Sequence, residues 1–236
     1  MFAFRALLFT VYFYGLTGLF SIAAMPLLAA PPAWIMIYGR WWVLASFAGL
    51  ERIVGLDFRI EGREKLPPAP VIIAAKHQSA WDTLVYRLAV DNMAPVIKRE
   101  LVLIPFWGWL VARAGAITID RAGGPAALKR LIGQARAAKA AGRSIVIFPE
   151  GTRVAPGDRR PFLPGVAALY RSLDLPVVPV AVNSGLYWPR RKLFGQRPGT
   201  IVLRFLDPIP PGLDRATFME RLEHDINEAS DALLAL

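Results

Sequence analysis

The chain has 236 residues, 28 of them basic and 18 acidic, a formal net charge of +10, no cysteine and 55% apolar residues. Such a length suits one compact α/β domain with a short attachment. The composition excludes a disulfide framework, and two histidines without cysteine make a poor ligand set for a metal centre.

The chain opens on a run free of charged residues from Ala6 to Gly39, flanked by Arg5 and Arg40. A spanning helix needs roughly 20 apolar residues, so the run is long enough to cross a bilayer. Pro26, Pro31 and Pro32 interrupt it, which predicts one helix up to about Met25 and a second from about Ala33 to Val54. The second carries Arg40, Glu51 and Arg52, which suit an interfacial segment better than a spanning one. Residues 1–54 therefore read as an N-terminal, membrane-embedded two-helix segment and 55–236 as the main domain. A cleaved signal peptide ending near Leu28-Ala29-Ala30 is the competing reading. The run is long for a signal, however, and Pro31-Pro32 would follow the cut directly. Arg5 ahead of the first helix and the lack of cysteine favour the inner, cytoplasmic membrane, with the main domain on its cytoplasmic face.

Beyond the attachment, short β-branched runs predict strands at Phe58–Ile60, Val71–Ala75, Ala116–Ile119, Ser144–Phe148, Val177–Val182 and Thr200–Phe205. Helical periods separate them at about Ala80–Ala89, Phe106–Ala114, Pro125–Ala141 and Gly165–Leu173. A last helix, Asp214–Leu234, aligns Phe218, Leu222, Ile226 and Leu233 on one stripe. This alternation predicts an α/β fold with a mostly parallel sheet flanked by helices. Charge is uneven: 24 of the 28 basic but only 12 of the 18 acidic residues lie between 51 and 212. A basic core domain suits an anionic membrane surface, a phosphorylated substrate or nucleic acid, and charge alone does not choose among them.

In open α/β sheets, ligands sit beyond the carboxyl ends of the strands. Three predicted strands end on polar clusters: Lys76-His77-Gln78-Ser79-Ala80-Trp81-Asp82, Asp120-Arg121, and Pro149-Glu150-Gly151-Thr152-Arg153. His77 precedes Asp82 by five residues. With a helix starting near Ser79, the carboxylate can reach the imidazole and steady it as a general base. The same Asp82 can instead complete a capping box with Ser79. His224 stands between acidic neighbours in the last helix and reads as a solvated surface residue. No Ser occupies a nucleophile elbow and no Gly-rich loop fits a nucleotide. A base that activates a substrate hydroxyl directly is what remains. At the third cluster, Glu150 can accept from a polyol hydroxyl and Arg153 can pair with a phosphate; an ordinary turn with a surface ion pair is the alternative.

His77-x4-Asp82 followed by Phe148-Pro149-Glu150-Gly151-Thr152-Arg153 resembles the glycerolipid acyltransferase family, in particular its bacterial members that acylate 1-acyl-glycerol-3-phosphate. Lys98-Arg99-Glu100-Leu101 with Pro105, Gly108 and Trp109, Gly115–Arg121, and Val178-Pro179-Val180 resemble further family segments in the same order, over roughly residues 50–210. The family commonly has Lys where Leu163 stands, so one phosphate-binding charge is missing here.

The resemblance implies an O-acyltransferase in which His77 deprotonates the acceptor hydroxyl and Asp82 supports it. Lys98, Arg121, Glu150, Gly151, Thr152 and Arg153 then bind the glycerol phosphate. The implied acceptor is lysophosphatidic acid, and the acyl donor is acyl-CoA or acyl-carrier protein as co-substrate. No cofactor, no metal and no nucleic acid are expected, and the oligomeric state stays open. Residues 55–236 become the acyltransferase domain. Two alternatives stand beside this reading: an acyltransferase for another lysolipid such as lyso-ornithine lipid, and a non-catalytic basic module that binds membranes. Tyr187–Phe194, where aromatic and basic residues alternate, reads either as a headgroup or pantetheine contact or as a solvated loop.

Overall fold

The computed structural model describes residues 2–120, 123–190 and 194–235. Helix α1 (Phe2–Ala23) turns through a short 3-10 segment at Met25–Ala29 into α2 (Pro32–Gly49), which ends in a π-turn at Leu50–Val54. Pro32 suits the first turn of α2, where its missing N–H has no partner to lose. Gly55 closes the segment at φ 79°, a left-handed conformation that glycine adopts without steric cost. By length and composition α1 is long and apolar enough to cross a membrane. It nevertheless lies along the domain. Arg5 Nε donates to Ile53 O at 2.5 Å, and Phe9 and Phe13 meet Trp188 edge-on at 5.5 and 5.9 Å between ring centroids.

The main domain follows in the order β1 (Leu56–Glu61), β2 (Ile72–Ala75), α3 (Asp82–Ala89), β3 (Met93–Lys98), α4 (Trp107–Arg113), β4 (Ile117–Ile119) and α5 (Gly124–Ala140). It continues with β5 (Ser144–Ile147), α6 (Gly165–Leu173), β6 (Val177–Val182), α7 (Ser184–Tyr187), β7 (Gly199–Phe205) and α8 (Arg215–Ala232). The strands stand in the order β1-β7-β6-β2-β5-β3-β4. Only β6 and β7 pair antiparallel; the other neighbours are parallel. The expected α/β fold, a mostly parallel sheet flanked by helices, is therefore observed.

One strand, β3, was not among the expected elements. Pro95 at its middle argues against a central strand, because proline donates nothing to a ladder. The sheet accommodates it by a change of partner. Met93–Pro95 pair with β5, and Val96–Lys98 pair with β4.

The two faces of the sheet are sealed differently. Ile73 and Ala75 of β2 belong to the core beneath α1, α2 and α3, with Phe9, Val43, Phe47 and Trp81. Ile72 and Ala74 belong to the core beneath α5, α6 and α8, with Leu131, Val166, Phe218 and Ile226. Successive side chains of a strand alternate between faces, and this continues past the end of β2. Lys76 therefore turns toward α8, and His77 toward the helical hairpin.

Candidate active site

His77 stands on the loop between β2 and α3, its ring stacked on Phe148 at 4.1 Å between centroids. Its Nδ1 lies 3.1 Å from Asp82 Oδ2, which leaves Nε2 as the ring nitrogen for a substrate. Asp82 is fully buried and accepts more than the imidazole. Its Oδ2 also takes the amides of Gln78 and Ser79 at 2.6 and 2.8 Å, and its Oδ1 takes the hydroxyl of Ser184 at 2.5 Å. Ser79 Oγ in turn accepts from Trp81 N at 3.0 Å. The two roles that the spacing leaves open for Asp82 are thus filled by one side chain. It ties the Ser79 amide of the turn leading into α3 and holds the histidine. Two backbone amides and a hydroxyl, all donating to it, fix the carboxylate in place, so the ring is oriented before any substrate arrives.

Glu150 sits on the opposite side of the histidine. The sequence reads it as a substrate ligand, but its side chain has no exposed surface. Its Oε2 accepts from His77 N at 2.8 Å, and its Oε1 faces Lys76 Nζ at 2.8 Å. Lys76 is itself buried and donates to Asn227 Oδ1 on α8 at 2.9 Å. Burial pushes the Glu150 carboxyl above its ordinary range, against the opposing charge of Lys76 and the amide of His77. His77 O accepts from Val154 N at 2.7 Å, so the loops after β2 and β5 are fastened to each other on both sides. Gly151 makes the return possible. It adopts φ 67°, and its N–H closes the turn onto Phe148 O at 3.0 Å.

His77 opens onto a cavity of about 660 Å³. One wall comes from the hairpin, with Phe20, Ile35, Tyr38 and Trp42; the other comes from β3 and α4, with Val96, Leu110 and Val111. At the histidine end, Lys98, Thr152, Arg153 and Arg190 line it. A smaller recess of about 330 Å³ adjoins it between Phe9 and Phe13 of α1 and Trp188, Arg190 and Gln196. Arg153 and Arg190 border both spaces, and Arg190 Nη1 donates to Arg153 O.

Of the residues expected at the site, His77, Lys98, Thr152 and Arg153 meet at this cavity, Asp82 lies behind His77, and Glu150 and Gly151 shape the loop beneath. Arg121 lies outside the described residues, as do residues 191–193 of the aromatic and basic segment. Trp188, Pro189 and Arg190 of that segment line the smaller recess. Lys76, Ser184, Asn227 and Arg87 also belong to the site or its supports, although sequence reasoning passes over them. For Lys76 a signal existed, since period-two alternation continues from Ile72 and Ala74 and turns a lysine into a core. Ser184 and Asn227 carry none, because their partners are 102 and 151 residues away.

Comparison with known proteins gives the family. The family model described as Acyltransferase matches residues 57–183. A 1-acyl-sn-glycerol-3-phosphate acyltransferase of Pseudomonas aeruginosa is 36% identical over 200 residues, which cover 81% of this chain and 77% of that protein. The protein of the same description from Saccharomyces cerevisiae is 31% identical over 175 residues, 71% of this chain but only 57% of the longer yeast protein. The crystal structure of a 1-acyl-sn-glycerophosphate acyltransferase from Thermotoga maritima superposes with a TM-score of 0.72 at 22% identity, over 100% of this chain and 99% of that one.

Proposed function

This chain belongs to the acyltransferase family, and from that premise we propose that it acylates the free hydroxyl of 1-acyl-glycerol-3-phosphate, giving phosphatidic acid. The observation that carries the reading is the His77–Asp82 pair facing a cavity with an apolar length and a basic end. His77 Nε2 removes the hydroxyl proton as the oxygen attacks the thioester carbonyl of the donor. Asp82 stabilises the imidazolium that forms. The tetrahedral intermediate then expels the thiolate, which recovers the proton from His77, so that one C–O bond has replaced one C–S bond. The donor is acyl-CoA or acyl-carrier protein, and the apolar walls between the hairpin and β3 receive its chain. Arg153 and Lys98 bind the acceptor phosphate, with Arg190 beside them.

The test compares two acceptors, lysophosphatidic acid and a monoacylglycerol without phosphate. A charge-assisted hydrogen bond is worth ~1.5–3 kcal/mol, so Arg153→Ala should lower kcat/KM for the phosphorylated acceptor on the order of 10–100-fold. The phosphate-free acceptor should be slow with the wild type and nearly indifferent to the substitution. An equal loss for both acceptors would show that Arg153 holds structure rather than phosphate. A wild type that prefers the phosphate-free acceptor would overturn the assignment.

The apolar N-terminal helix associates the protein with a membrane, and we place that at the cytoplasmic face of the cytoplasmic membrane. Phe4, Val11, Leu19, Trp34, Ile37 and Trp41 are exposed on α1 and α2, whose other sides are docked on the domain. A hairpin held side-on presents this surface to a bilayer interface without standing across it. High salt should leave the protein in the membrane fraction, because salt screens charge and not apolar burial. Complete release by salt would reduce the attachment to electrostatics.

A further inference from the structure

The smaller recess, of about 330 Å³, meets the large cavity beside His77, with Tyr14, Ala80, Arg153 and Arg190 bordering both spaces. Its own walls come from Phe9 and Phe13 of α1 and from Trp188, Pro189 and Gln196. The second wall stands on the element that holds Asp82. Trp188 N donates to Ser184 O at 2.8 Å and so extends α7, whose Ser184 hydroxyl donates to Asp82. Arg197 N donates to Tyr187 O at 2.9 Å, which returns the chain beside Trp188 and brings Gln196 to the recess.

Gln196 is 4% exposed, and among the described residues nothing donates to its Oε1. A buried amide oxygen without a donor costs free energy, and a ligand that brings an N–H recovers it. The chemistry of the two substrates decides which one does so. Lysophosphatidic acid has a single hydroxyl proton at the reacting centre, and His77 takes it. The pantetheine arm, common to CoA and acyl-carrier protein, carries amide N–H groups between short aliphatic links. Such an arm suits an orphan acceptor set among aromatic rings. Position agrees with this choice. A thioester carbonyl at His77 with its acyl chain in the large cavity must lead its thiol portion out by another way. Lys98 and Thr152 line only the large cavity, which leaves them to the acceptor.

We infer that the recess between α1 and Trp188 holds the pantetheine arm of the acyl donor, with Gln196 Oε1 accepting one of its amide N–H groups. The inference rests on the acyl-transfer reading above for the thioester. It applies equally to acyl-CoA and to acyl-carrier protein, because the arm is the part they share.

The test uses the full chain in detergent micelles. The first probe is S-decyl pantetheine, a thioether that has neither phosphate nor nucleotide and cannot transfer its chain. The second is its analogue with both amides replaced by esters, which keeps the length and removes the N–H donors. The amide probe should compete with acyl-CoA and raise the melting temperature of the wild type. The ester probe should bind about 5-fold more weakly. Gln196→Met keeps the length of the side chain and removes an acceptor that nothing satisfies in the free protein. Without ligand it should therefore melt no lower than the wild type. It should weaken the amide probe about 5-fold and leave the ester probe unchanged. KM should rise by that same factor for acyl-CoA and acyl-carrier-protein donors, and stay unaltered for lysophosphatidic acid.

The inference is overturned if the wild type binds both probes equally, or if Gln196→Met raises KM for donor and acceptor alike. A loss confined to one of the two donors also overturns it, since the contact would then lie outside the shared arm. A wild type that prefers the amide probe but transfers nothing to lysophosphatidic acid would instead remove the proposed function and leave the recess as the site of the arm.

Discussion

The turn after β2 and the loop after β5 each bring one buried carboxylate to His77, and they use it in different ways. Asp82, five residues along, holds the ring nitrogen. Glu150, 73 residues along, holds the backbone amide and is itself held by Lys76. The first contact acts on the group that moves a proton; the second acts on the place where that group stands. Two acids at similar burial beside one histidine therefore divide into a chemical and an architectural role. What separates them is the atom each one faces, since both are hidden from solvent.

The largest expected effect tests the chemical side. His77→Ala should lower turnover by ~10²–10⁴-fold while the melting temperature stays near that of the wild type, because general-base catalysis is lost and the loop keeps its clamp through backbone atoms. Activity within a factor of a few of the wild type would remove His77 as the base.

The architectural side breaks at Lys76. Lys76→Met leaves a buried carboxylate without its partner, a loss of ~3–5 kcal/mol in chemical denaturation. Its pH dependence follows from the direction of the Glu150 shift. Burial already holds that carboxyl above its ordinary range, and without Lys76 the rise is larger. A raised carboxyl contributes stability when protonated and loses it as the pH climbs through the folded-state value. The deficit of the variant should therefore be full at neutral pH and shrink on acidification. A deficit independent of pH would mean that Glu150 is not the group left unpaired.

The smallest effect is expected where the two roles overlap. Asp82→Asn keeps the shape but removes the charge; its amide oxygen can still accept from the Gln78 and Ser79 amides only if its N–H₂ takes the Oδ1 side, where the Ser184 hydroxyl must reverse and accept. Replacing charge-assisted bonds by neutral ones in a buried site costs ~1–3 kcal/mol of stability. Turnover per folded molecule should also fall, since Asn cannot stabilise the imidazolium. A stability loss with normal turnover would reduce Asp82 to a helix cap and make the two carboxylates alike after all.

Much of the architecture was legible beforehand, because hydrophobic period and chain breakers act locally. The α/β alternation, the two N-terminal helices and six of the seven strands follow from runs such as Val71–Ala75 and Ser144–Phe148 and from Pro31-Pro32. The strand that escaped, β3, holds Pro95, and only the sheet shows that the ladder changes partner at that residue.

By itself the sequence determined most of the elements, the five-residue step from His77 to Asp82, and the placement of three polar clusters at strand ends. Short-range spacing constrains geometry, and strands that run parallel must end on one side. Only the tertiary structure decided what those clusters touch. Strand order puts β2 between β5 and β6, which brings Glu150 and Ser184 to the two sides of one loop. The docking of the hairpin against β3 and α4 encloses the cavity onto which His77 opens. Those contacts join residues far apart in the chain, and no local period records which distant side chain will arrive opposite a given one.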